Sequence, residues 1–270
     1  MNEGLKYPVL LVHGMGFRDN KFVCYWGRIP KIYESLGCKV YFGNQDSNAT
    51  TETNARVLAN KIEQILKETG AEKVNIIAHS KGGMDSRYAI THLNMANKVA
   101  SLTTLSTPHN GSKTMDILMK FPHPIIRFGC FFVDIWFKIL GDKHPETFKV
   151  LLSFTTSKAK EFNSLTPDKK EVFYQSYAFV MENFSSDIFM WFPSFVVNAL
   201  EGENDGLLTP EAVKWGEFKG VFKSESKRGI SHCDEVDMRR RRFTKKKGEN
   251  LSDITDLYKN VFFDLKAKGF

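Results

Sequence analysis

Residues 7–12, 39–42, 74–78 and 99–105 are short apolar runs separated by stretches with helical spacing. Strand and helix alternating in this way predict an α/β chain with a mostly parallel central sheet and helices on both faces. Runs that are apolar throughout, rather than alternating with polar residues, mark strands buried on both sides, as parallel sheets require. Three of the runs end in polar loops containing glycine, and the carboxyl ends of the strands are where such a sheet has its ligand crevice. With 270 residues the chain is read as one domain, 1–270, interrupted by an insertion at 113–163.

The first run leads into His13-Gly14-Met15-Gly16, where glycines let the backbone N–H groups approach a ligand closely. Residues 22–36 place Val23, Trp26, Ile29, Ile32, Tyr33 and Leu36 at helical spacing and stop at Gly37. After the strand at 39–42, Thr50 or Thr51 can cap a helix. Its core face carries Ala55, Leu58, Ile62, Ile65 and Leu66, and it closes at Gly70.

Residues 73–84 read Lys-Val-Asn-Ile-Ile-Ala-His-Ser-Lys-Gly-Gly-Met, and the rest of the chain is organised around them. A strand that breaks at His79-Ser80 and enters a helix through two glycines lifts the serine hydroxyl out of the sheet on a tight turn. Strand and helix nearly touch there, so the positions two before and two after the serine must be small. They are Ala78 and Gly82. The strand at 99–105 runs into Ser106-Thr107-Pro108-His109-Asn110-Gly111-Ser112, a third loop at the same sheet edge.

The formal charge is +7, and residues 239–242 and 245–247 alone supply seven positive charges. Without them 31 basic residues face 31 acidic ones. A local patch, a solvated loop or one drawn to an anionic surface, fits this better than the spread basic face of a nucleic-acid binder, so no nucleic acid is expected as partner. Cys24, Cys38, Cys130 and Cys233 show neither metal nor redox spacing and are expected as free thiols. No charged-then-apolar leader precedes the first strand, which suits a cytoplasmic protein or a chain numbered from a mature boundary.

Within 113–163, residues 128–140 include Phe131, Phe132, Ile135, Trp136, Phe137, Ile139 and Leu140 and only Asp134 and Lys138 as charges. Thirteen residues are too short to span a bilayer, so no transmembrane segment is expected. A helix this apolar is buried or meets an apolar partner. It is either a mobile cover that opens on lipid or a permanently packed cap. Residues 171–180 return to a strand, and 188–200, interrupted near Pro193, reads as a helix belonging to the core.

His-Gly-Met-Gly, Ile-Ile-Ala-His-Ser-Lys-Gly-Gly, Thr-Pro-His-Asn-Gly-Ser and two later motifs make the chain resemble a bacterial triacylglycerol lipase of the α/β-hydrolase superfamily, over about residues 5–116 and 172–238. The resemblance implies the α/β-hydrolase fold with a helical lid or cap insertion, and hydrolysis of fatty esters through an acyl-enzyme. It implies transient contact with a lipid interface, and many such proteins are secreted. In this fold the catalytic order is serine, acid, histidine. Ser80 is then the nucleophile, and His232, in Gly229-Ile230-Ser231-His232-Cys233-Asp234, is the histidine late enough to be the base. The resemblance assigns the acid to Asp205, in Glu203-Asn204-Asp205-Gly206-Leu207-Leu208, expected at a strand end. Glu203, Asp187 and Asp234 compete for that role.

The N–H groups of Met15 and Lys81 are the implied oxyanion donors. The side chains of His79 and Lys81 are expected to pack or point to solvent, and His13 to brace its loop. The chemistry needs no cofactor. The resemblance does imply a possible structural calcium between two aspartates, with Asp234 at the position after the histidine and Asp187 as the nearest second ligand. Alternatives kept open are a short-chain carboxylesterase, acyltransferase or amidase with the same triad, and a catalytically silent lipid-binding module.

Overall fold

A computed structural model describes residues 4–18, 24–246, 248 and 250–270. Six strands form one sheet: β1 (Val9–Val12), β2 (Val40–Phe42), β3 (Val74–His79), β4 (Val99–Leu105), β5 (Phe173–Phe179) and β6 (Glu217–Phe222). Their order is β2-β1-β3-β4-β5-β6, and every neighbouring pair is parallel. The helices are α1 (Ile29–Ser35), α2 (Thr51–Thr69), α3 (Lys81–His92), α4 (Lys113–Leu118), α5 (His123–Ile139), α6 (Thr147–Ser153), α7 (Thr156–Leu165), α8 (Trp191–Leu200), α9 (Pro210–Val213) and α10 (Ile254–Ala267).

Side-chain alternation along β1 sends Val9 and Leu11 to one face and Leu10 and Val12 to the other. The first pair packs with Ile29 and Tyr33 of α1 and Leu257, Tyr258 and Val261 of α10. The second packs with Leu58 and Ile62 of α2 and Ala89 and Ile90 of α3. Both faces are therefore covered, which is why the strands are apolar throughout. Thr50 caps α2 and Gly70, in the left-handed conformation, ends it, as the sequence pattern predicts.

Four features depart from the sequence reading. Helix α1 starts at Ile29, because residues 25–28 form a turn that carries Tyr25 and Trp26 into the core; Phe22 and Val23 lie outside the described residues, as does Lys247 of the basic cluster. Strand β6, with two charged residues and Gly220, has no apolar run to announce it, because it lies at the sheet edge. The stretch 188–200 is not core: α8 buries only Ser194 and Val197, while Trp191, Phe192 and Phe195 are exposed. It is also unbroken, since Pro193 sits in its first turn, where a missing N–H costs no helix bond. Finally, Asp205 lies not at a strand end but in a loop after α8, tied to the end of β5 by a bond from the Met181 N–H to the Asn204 carbonyl.

The insertion between β4 and β5 folds into α4 to α7. Of the long α5, Cys130 and Phe137 are buried, whereas Phe128, Phe131, Phe132, Ile135, Trp136 and Ile139 are exposed. Among the described residues no helix is long and apolar enough to cross a membrane.

Candidate active site

The turn between β3 and α3 puts Ser80 at φ 53° and ψ −132°, a conformation a side-chain-bearing residue holds only when its surroundings enforce it. The enforcement is packing. A Cβ on Gly82 would lie 2.5 Å from the His13 carbonyl oxygen, and one on Gly14 would lie 2.7 Å from the Ser80 Cβ. The loop after β1 is thereby pressed against the serine. Met15, Gly16, Ser80 and His232 line one cavity of about 390 Å³. Lys81 opens α3, so its N–H is among the helix's free N-terminal donors.

The loop 229–236 brings His232 to the same cavity, with its Nδ1 2.8 Å from Asp205 Oδ2. The other Asp205 oxygen accepts from the N–H groups of Leu207 and Leu208, both at 2.8 Å, and the His232 N–H donates to the Asp205 carbonyl. Burial opposes ionisation of Asp205, but the adjoining imidazole and these donors outweigh it and hold the carboxyl well below the usual carboxylate range. Ser80, Asp205 and His232 are thus brought together. Ser80 Oγ makes no hydrogen bond among the described residues, and contacts of this kind are commonly long before substrate binds. Of the competing carboxylates, Glu203 is exposed and pairs with Lys223, while Asp187 and Asp234 serve other partners.

Beneath Ser80, Asp205 and His232 lies a buried network that sequence reasoning missed. The Gly14 N–H donates to Tyr25 Oη, which is 2.7 Å from His79 Nδ1; His79 Nε2 is 3.1 Å from Glu235 Oε2, and Ser106 Oγ donates to Glu235 Oε1. Tyr25 Oη and Glu235 Oε2 thus bracket the two ring nitrogens of His79. Burial, and secondarily the nearby Asp205 charge and a hydrogen bond shared with it, push the Glu235 carboxyl well above the usual carboxylate range. The network joins the loop after β1 to the histidine loop. Glu235 stands three residues after His232, and nothing in its local sequence signals that it is buried.

His79 is accordingly a buried bridging group rather than a bystander. Of the two expected alternatives Lys81 takes the packed one: its ammonium is buried and paired with Asp85 at 2.7 Å. His13 braces its loop as expected, with ring nitrogens 2.8 Å from the Gly14 carbonyl and 3.0 Å from that of Gln45.

Asp187 and Asp234 do converge, since Ser231 Oγ donates to Asp187 and the Ser231 N–H points at Asp234. A cation is already at hand, because Arg239 donates to Asp234 Oδ1 at 2.5 Å. Calcium wants six to eight oxygen ligands, and this pair, already bonded to a hydroxyl and a guanidinium, does not fit it. His79, His232 and Glu235 each offer a donor atom within 4.8 Å of the others, and their side chains also hydrogen-bond to Tyr25, Asp205 and Ser106.

The fold and this site define a serine hydrolase of the α/β-hydrolase type. Residues 8–177 match the family model described as palmitoyl protein thioesterase. The chain is 31% identical to triacylglycerol lipase 2 of Saccharomyces cerevisiae, covering 93% of this chain and 78% of the yeast protein. It is 33% identical to a triacylglycerol lipase of Pseudarthrobacter phenanthrenivorans over 60% of this chain, spanning about half (54%) of that relative. The crystal structure of a Bacillus licheniformis lipase in mature form has the same fold, with a TM-score of 0.66 at 22% identity, covering 98% of this chain and 92% of that one. The chain belongs to the family that the model describes, among the lipases of the α/β-hydrolase superfamily, and is a carboxylic ester hydrolase.

Proposed function

We propose that the protein hydrolyses fatty-acyl esters of the acylglycerol type, with Ser80 as nucleophile, His232 as general base and Asp205 as the acid that orients it. The observation that carries this reading is the cavity. Ser80 and His232 stand among Phe17, Met115, Leu151, Phe154, Met190 and Leu207, surroundings that suit an acyl chain and strengthen every charge interaction at the reacting carbonyl. With Nδ1–H donated to Asp205, the lone pair of His232 Nε2 is left to take the Ser80 proton as Oγ attacks the ester carbonyl. The Met15 and Lys81 N–H groups stabilise the resulting oxyanion. His232 then returns the proton to the departing alcohol, and water repeats the cycle to release the fatty acid.

The insertion supports a lipid substrate in two ways. Met115 of α4 and Leu151 of α6 line the cavity as part of a cap, and the exposed aromatic stripe of α5 suits a cover that meets lipid. Activity on p-nitrophenyl esters should rise with acyl length and respond to an emulsion, and Ser80→Ala should lower turnover by roughly 10⁵- to 10⁶-fold. Substantial activity in that variant, or failure of a fluorophosphonate to label Ser80, would remove the assignment.

A second reading is favoured by the family model itself, whose description names a palmitoyl thioester. The same serine chemistry cleaves an acyl–sulfur bond. Comparing kcat/KM for a palmitoyl thioester with that for the oxygen ester of the same chain separates the two.

A further inference from the structure

Beside the catalytic cavity is a second, open groove with an unusual pairing of chemistries. Its lining includes Ile188 and Phe189 from the segment before α8, Trp191 at the start of α8, and Arg228, Arg239 and Arg241 from the loops on either side of the histidine loop. The three apolar side chains are 79%, 71% and 50% exposed, a large loss of hydrophobic stabilisation if water is their only partner. Cys233 and Met238 line both this groove and the catalytic cavity, so the two share a wall.

The charge is not balanced locally. Arg239 is taken up by Asp234, and the groove's other carboxylate, Asp187, already accepts from Ser231 Oγ and the Phe189 N–H. Arg228 and Arg241 form no ion pair among the described residues, and Arg228 Nε is buried with no hydrogen-bond partner. Partial burial of Arg228, with repulsion from Arg239 and Arg241, lowers its pKa despite the opposing pull of Asp234 and Asp187, and its Nε has room for an anionic partner. Arg240, Arg242, Lys245 and Lys246 continue the basic character along the same segment.

We infer that this groove is a docking edge for an anionic phospholipid surface, with Ile188, Phe189 and Trp191 entering the acyl boundary and Arg228 and Arg241 meeting the phosphates. Aromatic residues beside arginines are the composition of a membrane interface, where each basic side chain near an anionic surface strengthens binding about 5-fold. An acidic soluble protein would match the charge but leave the three apolar side chains and the wall shared with the acyl cavity unexplained. The inference goes beyond the ester substrate and does not depend on which residue attacks it.

The test is co-sedimentation of the Ser80→Ala protein, which leaves the lipid intact, with vesicles of phosphatidylcholine and with equimolar phosphatidylcholine and phosphatidylglycerol. The protein should prefer the anionic vesicles, with binding that weakens as salt rises. Arg241→Glu removes one attractive charge and adds a repulsive one, and should weaken that binding about 25-fold. Trp191→Ala should weaken binding to both vesicles, with unchanged thermal midpoints showing that both variants fold. Equal binding to the two vesicles, indifference to Arg241→Glu, loss caused by Phe132→Asp on α5 instead, or a dimer that ignores vesicles would each overturn the inference. Fluorophosphonate labelling of the wild type reports separately on the hydrolase reading.

Discussion

His13 shows how a single buried residue ties the site to solution conditions. It is fully buried between two backbone carbonyls, and burial lowers its pKa to about 4, against the partial support of those carbonyls. Buried His79 shifts the same way for the same first reason. A histidine whose folded pKa lies below its unfolded value of about 6.5 leaves the unfolded chain with more bound protons in acid, so stability falls as pH drops through that window. From His13 alone the loss should be about 2 kcal/mol between pH 6.5 and pH 5, at about 1.4 kcal/mol per pH unit. Glu235 works in the opposite sense: its raised pKa stabilises the fold below the unfolded carboxyl value and loses that contribution as pH rises. Urea midpoints measured from pH 7 to pH 5 should therefore decline, and His13→Asn should flatten the slope. The serine, the histidine and the bracing role of His13 were legible because their local spacing is itself the signal. Glu235 and Tyr25 were not, because what makes them matter is who lies next to them across 156 and 54 residues.

At the level of elements, the contact between α3 and the end of β1 sets the geometry of the nucleophile. Gly82 has no room for a methyl group against the carbonyls of His13 and Val12, which are backbone and cannot rotate away. Gly82→Ala should lower stability by about 1 to 3 kcal/mol and reduce kcat more than it raises KM, because the helix must tilt and carry Ser80 with it. The loop holding Asp187, Ser231 and Asp234 makes a contrasting prediction. Arg239 supplies the positive charge there, so thermal midpoints with and without a chelator should coincide; a drop with chelator would restore the calcium reading. The sequence placed a helix capped at Thr50 or Thr51 and closing at Gly70, and the structure puts it at 51–69, since a capping threonine and a terminating glycine are local signals. It misplaced 188–200, since an apolar helix looks the same whether its partner is the core or a surface outside the chain.

Across the whole molecule, the turn before α1 is pinned to the C-terminal segment by one side chain. The Arg28 guanidinium contacts Asp237 at 2.6 Å and Asp253 at 2.8 Å, and its N–H also donates to Asp237. Arg28→Ala should cost about 2 kcal/mol, less than a fully buried pair because a third of the side chain is exposed, which is a fall of about 4 to 8 °C in Tm. An unchanged Tm would show that hydrophobic packing of α1 on α10 alone holds this end. Apolar runs, capping signals and the small residues around Ser80 determined the α/β class, the parallel strands up to β5 and the tight turn that carries Ser80, because each is written in the spacing of neighbouring residues. Only the tertiary structure decided the loop that carries Asp205, the edge strand β6, the buried Glu235 carboxyl beneath His232 and the exposed groove beside it. Those depend on contacts between distant segments and on which surfaces remain in water, and neither quantity is carried by local order.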